Sequence, residues 1–388
     1  MLILLLHLLG WISAASTVAS VAYCAIATFA GIRFARRRRR PVSPTNLPRV
    51  SILKPLKGGD PGMYAALRSH CVQDYPHYEV VFGVNDAEDP AVPVVKRLML
   101  EFPQHDIRLV ACEKRLGANG KVSSLIHLAQ AASAEYLLVN DSDIRVETDY
   151  LKTVMSELQQ PNVGMVTCLY RGIPGDSVPS RLEATGINTD FVPGVLSAHW
   201  LEGGLHFGLG STLAFRRSDL AAVQGFEAMV DYLADDYELG NRISQLGRKI
   251  ELSRTIVETN LPVYGFAGFW AHQLRWARTI RASRPGGYLG LLLTYTLPWA
   301  LVALLFSKGA PWAWELAWVA LLARMILAVQ MSRFVLGEKA WASVLLVPPR
   351  DLVAVAVWLT GWLGSSIDWR GERFRLKDGK LTSESTPT

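Results

Sequence analysis

The chain begins with a long apolar segment. No charged side chain precedes Arg33, and the stretch from Leu2 to about Ile32 is long enough for a membrane-spanning helix, which needs roughly 20 residues. A signal peptide fits less well, because the segment starts without a positive charge and its apolar part is too long. An arginine-rich stretch, 33–40, follows. Since basic flanks stay on the cytoplasmic side of a membrane, we expect the N-terminus outside and the next domain in the cytoplasm.

The composition indicates a protein that lies partly within a membrane. Hydrophobic residues make up 50% and charged residues 19% of the chain, which is too apolar for an ordinary soluble enzyme and too charged for a wholly embedded protein. The net charge is +6, and the six arginines of 33–40 account for all of it. We therefore expect no nucleic-acid-binding surface. The four cysteines show no CxxC pairing, which favours reduced thiols over disulfides or a zinc site.

Short apolar runs alternate with helical patterns after residue 49. The predicted strands are 50–55, 78–84, 107–112 and 136–140. The predicted helices are 61–71, 90–102 and 121–132. This alternation predicts an α/β fold with a mostly parallel sheet covered on both faces. Ligands on such sheets bind at the carboxyl ends of the strands, so polar residues just past each strand are site candidates.

Two carboxylates follow the fourth predicted strand. Asp141 and Asp143 are separated by one residue, so in a turn both can face the same ligand. Oxygen donors of this kind suit Mg²⁺ or Mn²⁺ bridging a diphosphate, where the metal neutralises charge on the leaving group. An ordinary surface turn is the alternative. The strand before the pair and the further acidic clusters along the chain favour the metal site.

Another acidic cluster follows the second predicted strand. A carboxylate at Asp86 can accept hydrogen bonds from a uracil or a ribose, so we assign Asp86 to the ligand. Asp89 and Pro90 fit the first positions of the next helix, and we interpret Asp89 as mainly structural.

Three lysines are candidate contacts for the nucleotide or its phosphates. Lys54 and Lys57 lie at the end of the first predicted strand. Lys121 lies in a glycine-containing loop that enters a helix, where backbone N–H groups can meet an anion. A plain turn is the alternative for that loop.

A third acidic pair, Asp235 and Asp236, opens a helical pattern that runs to about Leu246. One acid can cap the helix, as acids commonly do. The other is then available as a general base, because a sugar-acceptor hydroxyl is a poor nucleophile until a carboxylate takes its proton. We assign that role to Asp236.

A basic and aromatic motif precedes the next apolar segment. It contains His272, Arg275 and Trp276. Such residues are expected at the cytoplasmic flank of a spanning helix, and Trp276 fits a membrane belt. The functional interpretation is an interfacial helix near 265–284, with Arg275 clamping a diphosphate.

The C-terminal part contains further apolar segments. Residues 285–307 are uncharged and are predicted to span, 312–332 include Glu315 and Arg324, and 352–367 form a third run. An ionisable residue within a span is a functional hypothesis, although Arg324 can also snorkel or pair with another helix. The basic tail after 367 favours the cytoplasm, which three full crossings would not allow. We therefore expect one late segment to be re-entrant or interfacial.

The stretch 191–210 is rich in aromatic residues, glycine and leucine, and it is too broken for a spanning helix. We expect either an interfacial, acceptor-facing loop or a buried core loop.

These motifs together resemble membrane glycosyltransferases of the ceramide glucosyltransferase type, which have a GT-A domain. The matching features are Leu53-Lys54-Pro55-Leu56-Lys57-Gly58, Gln73-Asp74-Tyr75-Pro76, Asp86, Asp141-Ser142-Asp143, Asp236-Tyr237 and Arg275-Trp276. Segments 142–146, 166–172 and 272–281 are most similar to bacterial hopanoid-biosynthesis transferases, which add N-acetylglucosamine to bacteriohopanetetrol. One departure concerns His272, because the wider family carries Gln or Arg there, and the charge of an imidazole is conditional near neutral pH.

The resemblance implies an inverting, metal-dependent transferase that uses a UDP-sugar and a membrane lipid. Lys54 and Asp86 would hold the nucleoside side, while His272, Arg275 and Trp276 would close over the diphosphate. The expected location is a bacterial inner membrane with the catalytic domain in the cytoplasm. The expected division is a spanning anchor (1–32), a basic flank and linker (33–48), a GT-A domain (49–284), membrane segments (285–367) and a polar tail (368–388).

Three alternatives remain at this stage. The first is a ceramide or diacylglycerol glucosyltransferase with the same fold. The second is a processive polysaccharide synthase, which needs more transmembrane wall than the late segments provide. The third is a lipid-binding scaffold with a degenerate transferase fold, which the intact acidic clusters disfavour.

Overall fold

The computed structural model describes residues 2–38, 47–59, 62–338, 342–369 and 371–383. The chain divides into two compact units. The helical unit comprises 1–39, 176–201 and 264–365, and the sheet unit comprises 40–175, 202–263 and 366–388. This division differs from the predicted one, because 176–201 and 264–284 belong to the helical unit and the C-terminal residues to the sheet unit. The predicted linker, up to residue 46, and the last two arginines of the basic stretch lie outside the described residues.

The elements have the following bounds. The α-helices of the described chain are α1 (Leu2–Arg38), α2 (Met63–Cys71), α3 (Ala91–Glu101), α4 (Gly120–Ala131), α5 (Tyr150–Leu158), α6 (Val178–Gly186), α7 (Val192–Leu201), α8 (Arg217–Ala222), α9 (Asp235–Gln245), α10 (Phe266–Ser283), α11 (Pro285–Gly290), α12 (Thr296–Phe306), α13 (Pro311–Val329), α14 (Ala342–Leu345) and α15 (Val347–Gly361). The strands are β1 (Val50–Leu56), β2 (Tyr78–Val84), β3 (Asp106–Ala111), β4 (Tyr136–Val139), β5 (Ile144–Arg145), β6 (Val163–Ile173), β7 (Leu213–Arg216), β8 (Lys249–Asn260), β9 (Ser366–Trp369), β10 (Glu372–Lys377) and β11 (Lys380–Ser383).

The larger sheet of the sheet unit has the strand order β3-β2-β1-β4-β7-β6-β8-β5. Strands β3, β2, β1 and β4 pair in parallel, and β7 is antiparallel to both β4 and β6. Every residue of β1 is buried, as expected of a strand covered on both faces. The predicted α/β fold is therefore confirmed. The predicted strands and helices of this region differ from the observed ones by one or two residues at their ends, except β2, whose bounds match.

The core of the sheet unit forms because alternate residues of the parallel strands face different helices. Ile52 and Phe82 are fully buried against apolar residues of α2, α3 and α5. On the other face, Leu128 of α4 packs close to Gly83, where a side chain would collide with it. Burying one large apolar side chain contributes roughly 1.5–3 kcal/mol. This packing fixes the carboxyl ends of β1, β2 and β4 relative to one another.

The helical unit contains helices long and apolar enough to cross a membrane. Leu6–Arg38 and Pro311–Val335 each pass this test among the described residues. The segment 285–307, which was predicted to span, is not one continuous helix. Pro285–Thr294 and Thr296–Phe306 form a pair bent by 61°, which is a broken span or a re-entrant loop. The bend follows from Pro298 in the first turn of α12, because proline cannot donate the hydrogen bond that would continue a helix from the preceding turn.

A buried charge cluster holds the helical unit together around Arg324. Arg324 Nη2 donates to Asp351 Oδ1 at 2.7 Å, and its Nη1 donates to the Thr189 carbonyl at 2.9 Å. Asp190 also pairs with the guanidinium. Of the two interpretations of Arg324, pairing with another helix is therefore correct, since Asp351 lies on α15.

The stretch 191–210 is not a loop throughout. Its first half is the helix α7, whose Val192, Val195 and Leu196 are buried within the helical unit, while Trp200 and Leu201 are exposed. The second half, from residue 202 on, belongs to the sheet unit and contains most of the glycines of the stretch. Pro193 lies within a continuous helical run from Val178 to Leu201 and directly follows a π-helical turn, Ile187–Phe191, where the regular hydrogen-bond pattern of the α-helix is already interrupted.

The predicted polar tail is also folded. Strands β9, β10 and β11 form an antiparallel three-stranded sheet, which we call the C-terminal meander. Thr382, within the predicted polar tail, pairs with Arg375. The last residues, 384–388, lie outside the described residues.

Candidate active site

A pocket of about 330 Å³ opens at the carboxyl ends of the parallel strands of the sheet unit. It is lined by residues that follow β1, β2, β3 and β4, together with part of the C-terminal meander. The lining residues are Pro55, Leu56, Lys57, Asn85, Asp86, Asp89, Cys112, Glu113, Arg115, Ala118, Gly120, Lys121, Ser123, Ser124, Asp141, Ser142, Trp369, Glu372 and Phe374. Of the residues predicted for the site, this pocket brings Lys57, Asp86, Lys121 and Asp141 together.

Lys121 links Asp141 to the acidic pair of α9. Its Nζ lies 2.8 Å from Asp141 Oδ1 and 3.0 Å from Asp235 Oδ2. Asn119 caps α4 by accepting hydrogen bonds from the N–H groups of Lys121 and Val122, which fixes the start of the helix that carries the lysine. Burial lowers the pKa of a lysine, but Asp141 and Asp235 outweigh that effect and raise the pKa of Lys121. Lys121 is therefore a permanent cation between two carboxylates.

Asp236 lies beside this group, and its two oxygens accept backbone hydrogen bonds. The Gly210 N–H donates to Oδ2 at 2.7 Å, and the Tyr237 N–H donates to Oδ1 at 2.8 Å. Burial, followed by the charge of Asp235, raises the pKa of Asp236 to about 6, although Lys121 opposes the rise. A carboxylate with a pKa in this range can accept a proton near neutral pH.

Gly210 marks the point where these groups meet. A methyl group at this position would lie 2.9 Å from Asp141 Oδ2, 3.3 Å from Asp236 Oδ2 and 3.7 Å from Lys121 Nζ. We call this arrangement of Asp141, Asp236 and Lys121 the cradle. It depends on the absence of a side chain at Gly210. The sequence signal for it was the glycine-rich end of 191–210, which we interpreted as lipid-facing or core.

The interpretation of the Asp235–Asp236 pair changes in one respect. We expected one of the two acids to cap the helix, but the residue at the N-cap of α9 is Ala234. Asp235 pairs instead with Lys121. The difference arises because the largely buried lysine requires a carboxylate partner, which Asp235 supplies.

Lys54 lies beneath the turn that carries Asp141. Its side chain is fully buried, and its Nζ donates to the carbonyl oxygen of Asp141 at 2.9 Å. Burial lowers the pKa of Lys54 to about 7, against the opposing charges of Asp143 and Asp141. Lys54 thus supports the backbone of this turn.

The two aspartates after β2 differ in their contacts. Asp86 is exposed in the pocket lining and accepts a hydrogen bond from the nearby Glu88 N–H at 2.9 Å. Asp89 accepts the N–H of Ala91 at 2.8 Å and that of Gly58 at 2.9 Å. Asp89 therefore joins the loop after β1 to the start of α3.

Asp141 and Asp143 differ in their surroundings. The Asp141 side chain is 41% exposed and lines the pocket. Asp143, in the same turn, accepts a hydrogen bond from the Thr259 hydroxyl on β8. Within the described ranges, no group of three or more His, Cys, Asp or Glu side chains is placed to hold a metal. Two carboxylates nevertheless fit a Mg²⁺-type ion, which typically takes one or two carboxylates and completes its shell with substrate phosphates and water.

The basic and aromatic motif lies on α10 of the helical unit. His272 Nδ1 lies 2.9 Å from Glu183 Oε1, and the His272 ring packs on Trp276 with 4.9 Å between ring centroids. No sequence motif pointed to Glu183, because it is distant along the chain from His272. The helix predicted near 265–284 is observed as α10, Phe266–Ser283.

Residues 12–382 match the sequence profile described as Glycosyl transferase family 21. Ceramide glucosyltransferase 3 of Caenorhabditis elegans is 24% identical over 346 residues, which cover 86% of this chain and 74% of that protein. Ceramide glucosyltransferase of Komagataella phaffii is 32% identical over 118 residues, covering 29% of this chain and 23% of that protein.

A solved structure of Mannosyltransferase PcManGT from Pyrobaculum calidifontis, in complex with GDP-Man and Mn²⁺, is similar with a TM-score of 0.49 and 21% identity. The similarity covers 90% of this chain and 99% of that one.

Proposed function

Because this chain belongs to glycosyl transferase family 21 and is a nucleotide-sugar-dependent glycosyltransferase with a GT-A fold, we propose that it transfers one sugar from a UDP-sugar to a hydroxyl of a membrane lipid. The proposed sugar is N-acetylglucosamine, and the proposed acceptor is the hopanoid bacteriohopanetetrol. Both finer assignments rest on the sequence segments 142–146, 166–172 and 272–281. The helices long enough to cross a membrane make this a membrane protein.

The observation that carries the proposal is the convergence of Asp141, Lys121 and Asp236 around Gly210. A transferase needs a charged site for the departing diphosphate and a base for the incoming hydroxyl at neighbouring positions. Lys121 and Asp141 lie in the pocket lining, and Asp236 shares the contact point at Gly210. A binding protein without catalytic function would not need a carboxylate with a raised pKa beside this pair.

Asp236 acts as the base in the proposed reaction. Its carboxylate takes the proton of the acceptor hydroxyl while the hydroxyl oxygen forms a bond to the anomeric carbon. The bond from that carbon to the phosphate oxygen breaks, and the nucleoside diphosphate leaves with the electron pair. Attack from the face opposite the leaving group inverts the anomeric carbon, so an α-linked donor yields a β-glycoside.

Asp141 and Asp143 would hold the divalent cation, Mg²⁺ or Mn²⁺, which neutralises negative charge on the diphosphate when bound. Lys121 adds a fixed positive charge beside Asp141. Asp86 accepts hydrogen bonds from the nucleoside at the β2 end of the pocket. Lys54 serves this arrangement by holding the Asp141 carbonyl.

His272, Arg275 and Trp276 are proposed to bind the diphosphate and to position the acceptor. His272 is held at this position by its contact with the buried Glu183 carboxylate. The further placement we propose is a bacterial inner membrane with the sheet unit in the cytoplasm, which rests on the arginine-rich stretch after the first span.

A second candidate function is favoured by the relatives that this chain matches. Several of them are ceramide glucosyltransferases, so glucose transfer to ceramide is the alternative. The pocket and the base would serve that reaction equally well, because they contact the donor and the reacting hydroxyl in both.

A lipid-extract assay on the purified full chain in detergent tests both candidates. Radiolabelled UDP-N-acetylglucosamine and UDP-glucose are each offered with bacteriohopanetetrol and with ceramide, in Mn²⁺ or Mg²⁺. Label in a hopanoid product from UDP-N-acetylglucosamine alone supports the first proposal, and label in a ceramide product supports the second. The Asp236→Asn variant is the control and should give no product. A ladder of sugars on one lipid would contradict the transfer of a single sugar.

A further inference from the structure

The C-terminal meander turns one face towards the sheet unit. In β10, Phe374 and Leu376 are buried, whereas the alternating Arg373, Arg375 and Lys377 are exposed. Ile367 of β9 and Leu381 of β11 are buried on the same side. Because the side chains alternate with a period of two, the meander has one apolar face, which is buried. It is therefore a packed part of the sheet unit.

Backbone hydrogen bonds fix the meander to the loop before α9. The Leu381 N–H donates to the Asp231 carbonyl at 2.7 Å, and the Leu233 N–H donates to the Gly379 carbonyl at 3.0 Å. The same loop holds the start of α4, since the Asn119 N–H donates to the Val230 carbonyl at 2.8 Å. The meander is thus joined, through one short loop, to the helix that carries Lys121.

Three residues of the meander line the pocket. They are Trp369, Glu372 and Phe374. Trp369 and Glu372 are directly paired across β9 and β10, so their side chains lie on the same face. Glu372 Oε2 lies 2.7 Å from Arg115 Nη1, and Arg115 in turn lies over the Phe374 ring at 5.9 Å. These contacts set Trp369 and Phe374 as an aromatic wall of the pocket.

The wall and the proposed phosphate end belong to the same pocket lining. Glu372 contacts Lys57, in the loop after β1, as well as Arg115, in the loop after β3. The loop after β3 continues into α4 and Lys121. Asp86, Trp369 and Phe374 line the pocket together with Lys121 and Asp141. A nucleoside diphosphate whose phosphates lie at Asp141 and Lys121 therefore meets Trp369 and Phe374 within the same pocket.

We propose that the C-terminal meander is the nucleobase-binding wall of the donor pocket and that the ring of Trp369 stacks on the base. The inference rests on the proposed function, because it places the diphosphate at Asp141. Every base has a flat π face, so stacking supplies affinity, and Asp86 supplies the hydrogen bond that selects the base. Glu372 holds Arg115 against Phe374 and so keeps the wall in position.

The test measures nucleotide binding to the full chain in detergent by calorimetry, with UDP and, separately, with inorganic pyrophosphate, each in Mn²⁺. Trp369→Ala should weaken UDP binding about tenfold and leave pyrophosphate binding unchanged, because only UDP carries a base. Trp369→Phe should restore most of the affinity. Lys377→Ala is the matched control, since it removes an exposed side chain of the same meander, and it should bind UDP like the wild type.

Other outcomes overturn the inference. Equal UDP affinity in Trp369→Ala and wild type would show that the base lies elsewhere, and tighter binding would show that the meander obstructs the pocket. Equal loss for UDP and pyrophosphate, without rescue by Trp369→Phe, would indicate that Trp369 only maintains the fold. A failure of the proposed function is distinguishable from these results, because the wild type itself would then bind neither UDP nor pyrophosphate.

Discussion

His272 Nδ1 lies 2.9 Å from Oε1 of Glu183, a carboxylate with no exposed side-chain surface. Burial alone raises the pKa of a carboxyl, but the hydrogen bond and charge of His272, together with the Tyr264 hydroxyl, outweigh it and lower the pKa of Glu183. Glu183 is therefore an ionised group that orients the imidazole. The motif on α10 depends in this way on a residue of α6 that is about 90 positions earlier in the chain.

Replacement of Glu183 by Gln should lower kcat/KM roughly tenfold, because the charged carboxylate beside His272 becomes a neutral amide. Steady-state kinetics with the donor varied would measure the loss. Tyr264→Phe is the matched comparison, since it removes the other partner of Glu183 and keeps the carboxylate and its contact with His272. It should retain activity within about threefold. Similar losses in the two variants would argue against a specific role for the Glu183–His272 pair.

Activity should depend on pH through Asp236. The pKa of Asp236 is raised to about 6, so the fraction of ionised base, and with it kcat, should increase as pH rises through about 6 and then level off. Asp236→Asn should abolish turnover and preserve UDP binding. A kcat profile that is flat between pH 5 and 7, or turnover by Asp236→Asn, would remove Asp236 as the base.

The same pKa shift makes the folded state less stable as pH rises, whereas it makes kcat increase. The folded chain holds the Asp236 proton more tightly than the unfolded chain, so this group's contribution is fully present below about pH 4 and is lost as pH rises through about 6. Thermal unfolding in detergent between pH 4 and 7 should show a smaller decline for Asp236→Asn than for the wild type. An identical decline in both proteins would assign the pH dependence to other groups.

Gly210→Ala should reduce turnover by about a hundredfold or more. The added methyl group would meet Asp141 Oδ2 at 2.9 Å and Asp236 Oδ2 at 3.3 Å, so the base or the metal-binding carboxylate has to move. Displacements of this size in an active site commonly cost factors of about 100. Gly204→Ala is the matched control in the same segment, because its methyl group would meet nothing within 4 Å. Full activity in Gly210→Ala would show that the cradle has more room than the contacts indicate.

The sequence was sufficient to predict the positions of the candidate site residues that directly follow strands. Asp86 and Asp141 follow β2 and β4, and the alternation of strands and helices predicts that such positions converge. It was insufficient for Lys54, because one residue of register decides whether a side chain at a strand end faces the pocket or the interior. It was also insufficient for the partner of Lys121, since Asp235 is brought to it by tertiary packing alone.

The C-terminal meander could have been predicted from a signal that we did not use. Asp378-Gly379 is a two-residue turn between paired Lys377 and Lys380, and both turn residues have positive φ, 50° and 77°. An Asp-Gly turn flanked by alternating apolar residues is a strong hairpin signal. We did not recognise this hairpin signal, because we interpreted the arginines and lysines of 368–388 as a solvated tail.

Arg324→Met should destabilise the helical unit by about 3–5 kcal/mol, because it leaves Asp351 and Asp190 without their buried cation. Thermal unfolding in detergent would measure the change, and Glu315→Gln on the same helix is the matched control. Glu315 is exposed, so its replacement should alter stability by less than about 0.5 kcal/mol. The double variant Arg324→Met, Asp351→Leu should recover part of the loss, since it removes the uncompensated carboxylate along with its partner. Equal stability of Arg324→Met and Glu315→Gln would show that the cluster does not support the fold.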